Sequence, residues 1–167
     1  MSEKANYEAY AQQFLSQLPR GAFLTVRDGE RINTMTIGWG SIGFMWQKPI
    51  LMVMVRPSRY TYELLESAQD FSVSVPQTGE LRKSLADAGS LSGHDVDKFE
   101  ACNLTTRPAR HIASPVIDGC GLIFECRTLL HQTMDSECLD KSLRDKIYRD
   151  EDYHDLYFGE ILACYQP

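Results

Sequence analysis

Arg56-Pro57-Ser58-Arg59-Tyr60-Thr61 gathers two guanidinium groups and the hydroxyls of Ser58 and Thr61 at the junction between an apolar run and a helical pattern. Ser58 is placed to cap that helix and leave its first backbone N–H groups free. Donors and helix dipole then favour the same negative charge, which suits a phosphate monoester. A plain cap with solvated arginines is the alternative.

The second signal lies in Asn33-Thr34-Met35-Thr36-Ile37-Gly38-Trp39-Gly40-Ser41. As a strand it puts Asn33, Met35, Ile37 and Trp39 on one face and Thr34, Thr36, Gly38 and Gly40 on the other. The nearly bare face admits either a flat ligand or another backbone. Gly38 to Gly43 also matches G-x-G-x-x-G, but that fingerprint needs a following helix to hold a pyrophosphate. Here Phe44, Met45 and Trp46 run into Lys48-Pro49 and another strand, so no dinucleotide turn is expected.

Histidines 94, 111, 131 and 154 show no metal-ligand spacing, and cysteines 102, 120, 126, 138 and 164 form no C-x-x-C pair. No metal centre is expected, and the cysteines read as reduced thiols, mostly in the core. Cys120 and Cys126, on one extended strand, lie roughly 20 Å apart, too far to bridge. Without a G-x-S-x-G elbow or another recognisable nucleophile, the chemistry falls to a bound cofactor.

The elements that must position these groups follow from periodicity. Residues 5 to 18 alternate as an amphipathic helix ended by Pro19 and Gly21. Ala22 to Val26, the Asp28-Gly29 turn and Arg31 to Ile42 read as a hairpin with one long return strand. Ile50 to Val55 suits a strand buried on both faces. Helices are expected over Tyr60 to Ala68, Gly79 to Ala88 and, as a charged helix or lid, Glu137 to Tyr148; Asp95 is the expected cap of a short helix near Phe99. Phe71 to Val75, Val116 to Met134 and Leu156 to Tyr165 read as strands, and Thr105 to Pro115 as irregular connection. The expected fold is mainly β with peripheral helices, a closed or nearly closed antiparallel barrel.

At 167 residues, one domain over 1–167 is expected. Seventeen basic against twenty-three acidic residues give a net charge of −6, the wrong sign for nucleic acid or anionic lipid. The longest apolar run, Ile50 to Val55, is far short of a membrane span. The first ten residues have no signal-like apolar region, so the cytoplasm is the expected compartment.

The order N-T-M-T-I-G-W-G-S at 33 to 41, K-P at 48 to 49, a strand ending in Arg56, R-Y-T-Y at 59 to 62, S-G-H-D-V-D-K-F at 92 to 99 and H-D-L-Y-F-G-E at 154 to 160 resembles the flavin reductase-like family, close to its flavoredoxin branch. The resemblance spans nearly the whole chain and implies a split β-barrel homodimer binding FMN non-covalently near the subunit interface. It implies reduction of flavin by NADH or NADPH, or electron transfer through FMN to a free flavin, a protein or a small molecule. Carried over by position, Asn33, Met35, Thr36, Trp39, Gly40 and Ser41 border the isoalloxazine, while Arg56, Ser58, Arg59, Tyr60 and Thr61 surround the phosphate. Ser92, Gly93 and Lys98 complete the pocket, and His154 with Phe158 from the final strand lie near the flavin. The chain departs from the family pattern at His94 and in the bulky Gly43-Phe44-Met45-Trp46 turn, which narrows the approach of a nicotinamide. A flavin-binding electron carrier without turnover of its own and a pyridoxamine-phosphate-oxidase-like enzyme are the rival readings; the motif set argues against the latter.

Overall fold

The computed structural model describes residues 6–167. Residue 5, where the first helical pattern begins, and the residues before it lie outside that range.

β1 (Ala22–Asp28) and β2 (Arg31–Ile37) form the expected hairpin, with Gly29 at φ 59° in the turn. The single return strand to Ile42 is not formed. β2 stops at Ile37, and β3 (Gly40–Met45) pairs instead with β4 (Lys48–Val55). Beyond β5 (Asp70–Val75) and a small ribbon of β6 (Thr106–Arg107) and β7 (Val116–Ile117) come the long strands β8 (Leu122–Thr133) and β9 (Asp155–Tyr165). The main sheet is antiparallel, in the order β2-β1-β5-β8-β9-β4-β3.

β2 and β3 are therefore opposite edges of one sheet, although only Gly38 and Trp39 join them. So short a link spans only about 10 Å. The edges must meet there, which curls the sheet into a barrel that remains split at that seam. Gly40 permits the close crossing, since a Cβ would stand 2.8 Å from the Met52 carbonyl oxygen. The alternation expected across Gly38, Trp39 and Gly40 fails for this reason.

One face of the curled sheet buries Leu24, Val26, Val73 and Phe124 with Phe14 from α1 (Tyr7–Gln17), whose ring meets Phe124 edge-on at 5.3 Å. Leu64 of α2 (Tyr60–Leu65) joins that cluster. The neighbouring strand residues Phe23 and Ile123 point the other way, onto Leu85 and Ala88 of α3 (Arg82–Ser90). β4 lies between β9 and β3, yet Met52 and Met54 are only half-buried, so it is not covered on both faces as its apolar run suggests. The cap of α4 (Lys98–Ala101) is Asp97, not Asp95; its carboxylate accepts the N–H groups of Phe99 and Glu100. Asp140 caps α5 (Lys141–Ile147) in the same way. Cys120 precedes β8 rather than sharing a strand with Cys126, and all five cysteines are free thiols. No helix among the described residues is long and apolar enough to cross a membrane.

Gly159 marks the tightest strand packing. A Cβ there would lie 2.6 Å from the Phe71 ring and 2.8 Å from Cys126 Cβ. Gly159→Ala should cost about 1 to 3 kcal/mol in stability, the range for overpacking, measurable by urea denaturation.

Candidate functional site

The seam between β2 and β3 opens a hollow of about 180 Å³, lined by Met35, Thr36, Ile37, Gly38, Trp39, Met54, Arg56, Arg59 and His154. Of the residues singled out in the sequence, it brings together Met35, Thr36, Trp39, Arg56, Arg59 and His154. Asn33, Tyr60, Gly93 and Lys98 line a second, more open hollow toward the start of β2. Gly40, Ser41, Ser58, Thr61, Ser92 and Phe158 line neither.

In the second hollow, Asn33 Nδ2 donates to the buried Thr61 Oγ1 at 2.8 Å. Gly93 is required beside them, because any Cβ would overlap Tyr60 and Asn33. Lys98 is only 5% exposed, its ammonium donates to the Ala88 carbonyl at 2.7 Å, and burial lowers its pKa to about 8. Among the described residues, no carboxylate forms an ion pair with it. Ser92 turns to His94 instead, at 3.2 Å from its Nδ1.

The phosphate-clamp residues are not arranged as the sequence suggests. Ser58 caps nothing: Arg59 holds the cap position of α2 without a side-chain bond, and Ser58 Oγ donates to Asp152. Arg56 Nη1 donates to both oxygens of Asp150, at 3.2 and 3.1 Å. Strand pairing explains the meeting. Val55 lies opposite Asp155, so the residues leaving β4 face those entering β9.

His154 sits just ahead of β9 rather than within it. Burial first, and then the Arg56 charge, depress its pKa to about 4, so the imidazole is neutral at pH 7. Tyr148, whose pKa burial raises, keeps its proton, and its hydroxyl shares a hydrogen bond with Nδ1 at 2.7 Å. The Trp39 and His154 ring centroids are 5.3 Å apart, with Trp39 48% exposed at the rim. Because the folded pKa lies below the ordinary 6.5, the unfolded chain takes up this proton first as pH falls. Stability contributed by His154 should therefore decline between about pH 6.5 and 4, and thermal melts of His154→Gln should decline less over that window than wild type.

Phe158 lies on β9 beside Trp46, ring centroids 6.2 Å apart, and not in the hollow. Conversely, sequence reasoning missed Met54, Tyr148, Asp150 and Asp152. The last three had a signal: Tyr148-Arg149-Asp150-Glu151-Asp152-Tyr153 is an acidic run bracketed by aromatics immediately before His154.

An antiparallel barrel split at a glycine-tryptophan seam, with cations gathered around it, defines the class as a split barrel. The family model for the flavin reductase like domain matches residues 15–167, and the chain belongs to that family. Its fold is similar to that of an FMN-binding protein from Thermus thermophilus solved with bound 1-cyclohex-2-enone: 27% identity, TM-score 0.68, covering 87% of this chain and 69% of that one. Flavoredoxin from Methanosarcina acetivorans is similar at 26% identity and TM-score 0.70, covering 88% and 68%. An uncharacterized protein of Archaeoglobus fulgidus is 34% identical over 111 residues, 66% of this chain and 62% of that protein. The match thus spans less than two thirds of that relative's length.

Proposed function

We propose that the chain is an FMN-dependent oxidoreductase of the flavin reductase or flavoredoxin type, with NADH or NADPH as electron donor. The observation that carries it is the placement of Arg56, Arg59 and the buried Lys98 around a strand whose far end presents Gly38 and Trp39. A buried ammonium that pairs with no carboxylate among the described residues fits an anionic cofactor. When bound, FMN supplies hydride and electron transfer at its ring. Arg56 and Arg59 would hold the phosphate end, Gly38 would let the ring approach the backbone, Trp39 would shield its edge, and the neutral His154 imidazole would offer a hydrogen-bonding group without charge. FMN is favoured over FAD because no pyrophosphate turn is formed: Gly38 to Gly43 enters β3, not a helix.

Anaerobic titration of the flavin-loaded protein with each nicotinamide tests the donor. Bleaching of the visible flavin band by NADH or NADPH supports a reductase. Bleaching by dithionite alone makes the chain an electron carrier.

The homodimer belongs to the same proposal. Strand register puts Met52, Phe158 and Leu130 side by side on the outer face, with Trp46 edge-on to Phe158. Phe44, Trp46 and Leu130 are exposed large apolar groups, an unusual concentration for a monomer surface. Trp46 and Gln47 also hold φ of 53° and 58° in the β3–β4 hairpin, a strained choice where Asn-Gly is usual. Replacing both with Asn-Gly should raise the melting temperature yet weaken self-association in light scattering. Unchanged dimerisation would remove this tip from the interface.

A further inference from the structure

Asp150 and Asp152 occupy the anion corner before any ligand arrives. Asp150 accepts from Arg56 Nη1 at both oxygens, and Asp152 accepts from Ser58. The backbone is bent to allow this: Glu151, between them, adopts φ 58°, a left-handed conformation that non-glycine residues seldom accept. The Asp152 N–H also donates back to Asp150 Oδ1 at 3.3 Å. Arg56 is fixed from a second side by the Ile147 carbonyl and the Tyr148 ring, whose centroid lies 5.2 Å from the guanidinium carbon. The remaining cation of the hollow, Arg59, makes no ion pair among the described residues. Two arginines therefore face two carboxylates, and the neutral imidazole of His154 adds no charge.

Such a corner gives a phosphate little net attraction. A phosphate monoester carries nearly two negative charges at pH 7. It gains from Arg56 and Arg59 but is repelled by Asp150 and Asp152, which compete for the same donors. A ligand that ends in a neutral ribityl hydroxyl escapes both effects.

We propose, resting on the flavin reading above, that Asp150 and Asp152 are specificity-determining residues: by holding the anion corner near neutrality they make the pocket select flavins by the ring and not by the terminal phosphate. Riboflavin and FMN then compete on nearly equal terms.

The test is fluorescence-quenching titration of riboflavin and of FMN into the full chain stripped of flavin, for wild type and for Asp150→Asn/Asp152→Asn. The amides keep the shape, and their one remaining carbonyl oxygen can still accept from Arg56 or Ser58, so the exchange removes the charge and, at Asp150, one of the two acceptors of Arg56. Wild type should bind the two flavins within about tenfold of each other. The double variant should bind FMN about tenfold or more tightly than wild type, with riboflavin shifted by less than about threefold, because only the phosphate feels the lost charges. The FMN gain should shrink in 1 M salt, where screening reaches about 3 Å. Asp152→Asn alone should move FMN in the same direction by a smaller factor. Equal shifts for both flavins, or none for FMN, overturn the inference while leaving the flavin reading intact. A wild-type chain that binds neither flavin overturns both.

Discussion

Arg56→Ala is expected to weaken FMN by about 2 to 3 kcal/mol, roughly 30- to 150-fold in Kd, the upper part of the range for a charge-assisted hydrogen bond. The loss is large because the substitution does more than delete a donor. Asp150 and Asp152 stay behind beside the phosphate with Arg59 as the only remaining arginine of the hollow. Riboflavin affinity should change far less, since that flavin brings no charge to the corner. Calorimetry with both flavins separates the two effects, and unchanged FMN affinity removes Arg56 from the site.

The largest stability effect is expected at Glu125. Its side chain is fully buried, and its carboxylate accepts the backbone N–H groups of Arg110 and His111 at 2.8 and 2.7 Å and the Tyr165 hydroxyl at 2.7 Å. The Arg110 guanidinium lies 3.5 Å from the Tyr165 ring centroid and covers the arrangement. One carboxylate thus ties the loop before β7 to the end of β9. Glu125→Ala strips three donors of their acceptor and should cost about 3 kcal/mol or more. For a chain of this size that is a fall in Tm of about 6 to 12 °C. A fall of under 2 °C by calorimetric melting, about half a kcal/mol, would show that water replaces the carboxylate without penalty.

The β1–β2 hairpin was legible from its Asp28-Gly29 turn, and β5 from the alternation of Phe71 to Val75. The seam was not. Gly38 and Trp39 continue the alternation of β2 perfectly well, and nothing local says that the next residues pair at the opposite edge of the sheet. Asp95 and Asp97 are both competent caps, and only the first helical turn at Lys98 chooses between them. The hollow's lining was largely readable, since Met35, Thr36 and Trp39 are neighbours in sequence, as are Arg56 and Arg59. The carboxylates on Arg56 and Ser58 were hidden, because they come from 94 residues away through the pairing of β4 with β9. Lys98 appeared in the motif, but its burial without a carboxylate partner depends on how α4 packs against β2 and α3.

The central claim is that the hollow at the β2–β3 seam binds flavin, and titration of FMN into flavin-free protein tests it most directly. A saturable loss of flavin fluorescence with a resolved, shifted visible band, abolished together by Trp39→Ala and Arg56→Ala in one chain, is the predicted result. FMN fluorescence that remains that of free flavin at every protein concentration, in a chain shown by its melting transition to be folded, would contradict it.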